Sequence, residues 1–218
     1  MRPVKSPPGS VRAERATLTE RRILTAARSL FAERGYGATT LRQIADEAGV
    51  AVQTVYAVHR SKPNILRALR ESVRDDPDAD QAYRMALVEQ DPGHALDLFA
   101  RSIRMRWTAG ADIVTTHVEA ASVDAEVRAE LATVLEARQA GIAQLARSLA
   151  ALARDLGDVA RIASIIDVLT LPEPYRALTE VHGWSPDAYE RWLAMTLRAS
   201  ILDSRPGSSA GRHHRTHR

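Results

Sequence analysis

Apolar residues recur at every third or fourth position along most of the chain, and no stretch keeps a strict alternation. That pattern predicts helices throughout and no strands. The first helix opens at Thr17-Leu18-Thr19-Glu20, which fits a capping box, and sets Ile23, Ala26, Ala27, Leu30 and Phe31 on one face before Gly35 stops it. Leu41, Ile44, Ala45 and Ala48 mark a short second helix with Thr40 as N-cap. After Gly49-Val50 a third runs over about 52–58 and holds only one turn's worth of apolar positions. Ser61 caps a fourth, with Pro63 in the first turn, where a missing N–H costs little. Ile65, Leu66, Leu69 and Val73 face its core.

Asp75-Asp76-Pro77-Asp78 then breaks the pattern. Helices are expected over about 79–90, 94–109 and 112–121, followed by a long one over 124–156. Three more are expected near 158–169, 173–181 and 186–202, the last opened by Ser185 as N-cap and Pro186 at N1. The Pro-, Gly- and Arg-rich residues 1–16 read as a flexible basic arm, and 203–218 as a disordered tail.

Charge divides along the same line. Residues 1–74 carry 14 Lys and Arg against 6 Asp and Glu, a balance of +8. Residues 75–202 carry 12 against 20, a balance of −8, and the tail adds +3. A basic head on an acidic body suggests a polyanionic partner for the head and a different task for the body. The absence of cysteine removes any disulfide, thiolate nucleophile or Cys-based metal site, and suits a reducing compartment. No apolar run approaches the roughly 20 residues of a membrane span, and the basic N-terminus lacks the apolar core of a secretory signal. A cytoplasmic protein with no membrane contact is expected.

Two short helices joined by a glycine turn match the helix-turn-helix geometry, in which the second helix enters the DNA major groove. The bland alternative is a spare helical hairpin. Against it stands the chemistry of the third helix, where Gln53, Thr54, Tyr56, His59 and Lys62 crowd hydrogen-bonding groups into a short basic stretch. Gln53 offers the amide pair that suits adenine N6 and N7. Thr40 stands at a helix N-terminus, where hydroxyl and backbone amides favour phosphate. Arg42 faces out from the start of the second helix. In the N-terminal arm, Arg2, Lys5, Arg12 and Arg15 have both readings open, DNA contact or plain solvation.

The segment resembles the DNA-binding domain of the TetR family of bacterial transcriptional regulators. The resemblance runs through Ala27, Leu30, Phe31, Gly35-Tyr36, Thr39-Thr40, Ile44-Ala45, Ala48-Gly49-Val50, Thr54-Val55-Tyr56 and Ser61-Lys62, about a fifth of the chain. It implies an all-α fold, with a helix-turn-helix domain over 17–62 joined to a helical ligand-binding and dimerisation domain over 63–202. It also implies a homodimer on a palindromic operator, and repression relieved by a small molecule. By the family pattern Thr40, Thr54, Tyr56 and Lys62 fall on phosphate contacts and Gln53 among the base-facing positions. With Arg42, Val52 and His59 these complete the expected DNA-binding set. His59 departs from the family's usual phenylalanine, and two readings stay open: a packing imidazole, or a pH-sensitive contact near the phosphates. Ala51 replaces the more common serine.

In the body, Arg138 falls on the apolar stripe of Leu131, Leu135, Ile142, Leu145, Leu149 and Leu152, and Arg106 shares a face with Ala95, Leu98, Phe99, Ser102 and Ile103. A charge in an apolar stripe is costly unless paired, so each is either an edge arginine or a pocket anchor. Tyr83, Met105, Arg106, Trp107, His117 and Arg138 form the expected effector-binding set, in a mostly apolar cavity with few polar anchors. The helices bearing Val159, Ile162, Ile166, Leu169 and Trp192, Leu193, Leu197, Ile201 resemble the family's dimer-forming pair. No phosphate loop or paired-carboxylate constellation suggests an enzyme, His213, His214 and His217 lie in the tail, and neither cofactor nor metal is expected. The remaining rival is a constitutive DNA-binding protein without effector.

Overall fold

The computed structural model describes residues 8–74, 76–152 and 158–203. Every element in them is helical: α1 (Pro8–Arg34), α2 (Leu41–Ala48), α3 (Val52–His59), α4 (Lys62–Arg74), α5 (Pro77–Val88), α6 (Pro92–Val123), α7 (Ala125–Leu152), α8 (Val159–Leu169), α9 (Pro172–Arg176) and α10 (Pro186–Arg198). Single π-helical turns extend α9 over Ala177–Val181 and α10 over Ala199–Asp203. Residues 204–218 of the expected tail and the arm residues Arg2 and Lys5 lie outside the described residues, as does the side chain of Arg12, while Asp203 is helical.

Several ends form where the local chemistry requires. Thr40 and Gln43 make a reciprocal capping box at α2: Gln43 N–H donates to Thr40 Oγ1 at 3.2 Å, and Thr40 N–H donates to Gln43 Oε1 at 2.8 Å. Gly49 ends α2 in the left-handed region at φ 62°, a conformation glycine takes without a Cβ clash. Asp158 caps α8, and Ser185 caps α10 ahead of Pro186.

One expectation shifts. The first helix begins at Pro8, so residues 8–16 of the expected arm are helical. Thr17 and Thr19 turn their hydroxyls back to the carbonyls of Ala13 and Arg15 instead of capping, and Arg, Glu and Ala in Val11–Ala16 are strong helix formers. The helices expected over 94–109 and 112–121 are both present within Pro92–Val123, and they meet at Gly110, whose dihedrals are non-helical.

The chain divides into two compact units: residues 1–76 with 109–134, and 77–108 with 135–218. In the first, Ile23, Ala27, Leu30 and Phe31 of α1 pack with Tyr36, Ile44, Val55, Ile65, Leu66 and Leu69. Ile113, Ala120 and Ala121 of α6 and Val127 of α7 join the same core, so this packing unit is larger than the helix-turn-helix. Arg28 binds both carboxylate oxygens of Asp112 at 2.6 and 2.7 Å and the carbonyl of Ala109 at 2.9 Å. Arg70 and Arg67 converge on Glu130, at 2.8 and 3.1 Å. Burial alone would raise the Glu130 carboxyl, but hydrogen bonds from the two guanidinium groups hold it below its ordinary value.

The second unit buries Leu96, Phe99, Leu145, Leu149, Ile162, Ile166, Tyr189, Leu193 and Leu197. Tyr175 meets Tyr189 edge-on at 5.0 Å between ring centres, and Tyr189 lies 5.7 Å from Trp192.

Within the first unit a methyl group at Gly110 would sit 2.9 Å from Cγ2 of Val73, with Cγ1 and Cβ at 3.0 and 3.1 Å. Gly110→Ala should therefore destabilise the protein by about 1–3 kcal/mol. An unchanged denaturant midpoint would show that α4 yields freely at Val73.

Candidate nucleic-acid interface

α3 has Val55 fully buried, whereas Gln53 and Tyr56 project outward. Tyr56 is 53% exposed, a large aromatic side chain that the core leaves in solvent. Thr40 and Arg42 are exposed at the start of α2, while Val52 and Thr54 are half-buried at the start of α3. This short, rigid pair of helices thus presents an amide, a phenol and a guanidinium on the first unit. Thr40 also donates its hydroxyl to Gln43 Oε1 at 2.9 Å, so the cap itself holds that side chain still. α3 starts on Ala51 with no side-chain cap, consistent with the missing serine hydroxyl.

Lys62 has a structural task that its sequence position does not advertise. Its Nζ donates to the carbonyls of Tyr36 and Thr39 at 2.6 and 2.9 Å and lies 4.3 Å from the centre of the Tyr36 ring. Burial lowers its pKa, and the carboxylate of Asp124 opposes that shift. Tyr36 in turn donates its hydroxyl to Asp124 Oδ2 at 3.1 Å, while Asp124 Oδ1 accepts the backbone N–H groups of Glu126 and Val127 at the start of α7. Burial and Asp124 together raise the Tyr36 pKa, so the phenol stays protonated. Lys62 therefore locks the α1–α2 turn to the head of α4; two of its three N–H groups are used in doing so.

His59 is 6% exposed, and its Nε2 is buried with no partner among the described residues, which favours the packing reading of this imidazole. Burial lowers its pKa, with a weaker opposing pull from Glu20.

Of the residues expected to bind an effector, Tyr83, Met105, Arg106, Trp107 and Arg138 belong to the second unit and His117 to the first. Tyr83 donates to the carbonyl of Gly141 at 2.8 Å. Arg106 pairs with Asp80 at 2.5 Å. Arg138 reaches Asp167 Oδ1 at 3.0 Å, the Asp167 carbonyl at 2.9 Å and Thr170 Oγ1 at 3.0 Å. Both arginines are thus paired within the fold. Trp107 Nε1 and Tyr189 Oη are buried without partners among the described residues. A concavity of about 420 Å³ in the second unit is lined by Asp97, Glu190, Arg191, Ala194, Met195 and Arg198, none of them in the expected effector set.

Two residues of the head were missed by the sequence reading. Arg22 donates to the carbonyl of Gly49 at 3.3 Å, across the helix-turn-helix glycine. Arg60 follows the last residue of α3 with φ 64° and an exposed side chain. Only the short spacing between α3 and the Ser61 cap hinted at the second.

Burial lowers the pKa of both His59 and His117 below the ordinary 6.5. The unfolded chain therefore takes up protons first, and stability should fall as pH drops through about 6.5. His59→Phe should flatten that acid limb while keeping the fold. A limb of unchanged slope would mean that the carboxylates alone set it.

Residues 23–69 match the family model described as bacterial regulatory proteins, tetR family. No curated protein matches the chain. Among solved structures it is similar to NalD, the secondary repressor of the MexAB-OprM multidrug efflux pump in Pseudomonas aeruginosa, at 22% identity over 86% of this chain and 98% of that one, with a TM-score of 0.65. It is similar to the TetR family transcriptional regulator PfmR from Thermus thermophilus, at 21% identity over 83% and 97%, with a TM-score of 0.62. It is also similar to the transcriptional regulator FadR from Bacillus subtilis, solved with stearoyl-CoA, at 18% identity over 83% and 98%, with a TM-score of 0.63. Over residues 23–69 the chain is thus similar to the tetR family of bacterial regulatory proteins, and its helical fold is the one these solved regulators share.

Proposed function

We propose that this protein is a ligand-responsive transcriptional regulator that binds a palindromic operator as a homodimer and is released by a small molecule, acting as a repressor. It is read as a regulator and not an enzyme. The observation that carries the proposal is the outward display of Gln53 and Tyr56 on α3, with Thr40 and Arg42 beside them, on a head of net charge +8. An exposed glutamine on a major-groove helix is suited to adenine, and the surrounding hydroxyls and cations to phosphate. The half-buried Val52 and Thr54 would support the edge of that contact.

The second unit's surface supports the dimer reading. Val168 of α8 is 62% exposed and Met195 of α10 63%, and Leu171 and Trp184 add further exposed apolar surface. A second copy seated on α8 and α10 would cover it and give the assembly two reading helices for the two half-sites of a palindrome. The effector reading rests on Trp107 Nε1 and Tyr189 Oη, buried polar atoms without partners among the described residues. An amphipathic molecule with an acceptor group would satisfy such atoms. The acyl thioester bound by the similarly folded FadR is a compound of that kind.

Duplexes selected from a random pool by the full-length protein should converge on an inverted repeat, and small amphipathic molecules should release the best of them. Gln53→Ala should relax base preference by about 1–3 kcal/mol at one position of each half-site. An unaltered selected consensus would remove Gln53 from the reading set. Met195→Asp should shift the protein toward single chains in sedimentation and weaken operator binding; a dimer of wild-type tightness would place the interface elsewhere.

A further inference from the structure

Among the described residues Arg60 is the one non-glycine position with positive φ. Its dihedrals of 64° and −43°, with Ser61 N–H bonded to His59 C=O at 2.7 Å, approach the rarer γ-turn, a strained three-residue reversal. The turn is compressed from both sides. Arg60 N–H completes the last bond of α3 to Tyr56 C=O at 3.0 Å, and Ser61 Oγ already accepts from Asn64 N–H at 3.3 Å in the first turn of α4. Any residue here must bend sharply, and glycine would do so without a Cβ penalty. The chain instead has arginine.

The side chain has no structural use that accounts for this. It is exposed, and no ion pair or hydrogen bond holds its guanidinium among the described residues. Its position is informative. Gln53, Tyr56 and Ala57 of α3 are all exposed, and Arg60 follows Tyr56 and Ala57 at steps of four and three. It lies at the C-terminal end of that outward stripe, two residues before Lys62. In a helix-turn-helix the N-terminal residues of the reading helix meet base edges. A cation beyond its C-terminus is set against the sugar-phosphate backbone, where it positions without reading sequence. Persisting strain of this sort concentrates at functional positions.

We propose that Arg60 is a DNA-phosphate contact, and that the strained turn presents its guanidinium beside the reading helix. The proposal rests on the DNA-binding reading above and adds a residue to it. Arginine suits the role because its charge is permanent and its planar fork matches phosphate oxygens.

The test uses the full-length chain, a duplex selected by the wild-type protein from random DNA, and an unrelated duplex of the same length. Binding is followed by fluorescence anisotropy over a salt series. Arg60→Gly and Arg60→Ala should each bind both duplexes about tenfold more weakly, with the slope of log affinity against log salt shallower by about one. Arg60→Lys should stay near wild type. Arg60→Gly should also melt a few degrees above Arg60→Ala, because only glycine relaxes the turn. Wild-type affinity and slope in both the Gly and Ala variants would overturn the assignment. A wild-type protein that binds neither duplex at low salt would overturn the DNA-binding reading beneath it.

Discussion

A helix of eight residues has almost no stability of its own in water, because nucleation costs more than two turns of hydrogen bonds return. Both α2 and α3 are that short. Their persistence depends on burial of Ile44, Ala45, Ala48 and Val55 in a core supplied by α1, α4 and the 109–134 segment. Everything about the display of Gln53 and Tyr56 rests on that seating. Fixing a reading surface before it meets DNA also lowers the ordering cost of binding. The capping box, the left-handed Gly49 and the Lys62 clamp serve the same end by removing alternatives to one geometry.

The polar groups of this head show how a small core is kept specific. Lys62, Tyr36 and Asp124 form a continuous chain of contacts from the start of α4 to the start of α7. Arg67 and Arg70 add a second tie to α7 through Glu130. Arg70 and Glu130 are mostly buried, so leaving either without the other would strand a charge in the interior. The Arg28–Asp112 pair is more exposed, and its worth is correspondingly modest. In the second unit, pairing with Asp80 and Asp167 turns Arg106 and Arg138 from isolated charges into parts of the scaffold. Among the described residues, the buried side-chain polar atoms left unpaired there are those of Trp107 and Tyr189.

Much of the helical outline was legible because helix signals are local. Apolar spacing and the cap residues Thr40, Gly49, Ser61 and Ser185 act within one or two turns, and the ends they marked lie close to those observed. Thr17 misled for a related reason. Its hydroxyl had two local partners available, a cap and the Ala13 carbonyl, and only the surrounding helix chose between them. The surface of the reading unit was equally legible: a helix with one apolar turn's worth of positions must leave Gln53 and Tyr56 outside. His59 was not, since an imidazole serves core or surface and its neighbours decide.

By itself, then, the sequence determined an all-helical chain, a basic head with a helix-turn-helix, and the residue types facing out of it. These follow from periodicities and caps that neighbouring residues impose on one another. Tertiary structure decided the partners: Asp112 for Arg28 lies 84 residues away, Asp124 for Tyr36 lies 88, and Asp167 for Arg138 lies 29. It also set the bent backbone of Arg60 and the burial of His59. No local pattern encodes such pairings, because they depend on which helix faces are brought together when the apolar stripes are buried.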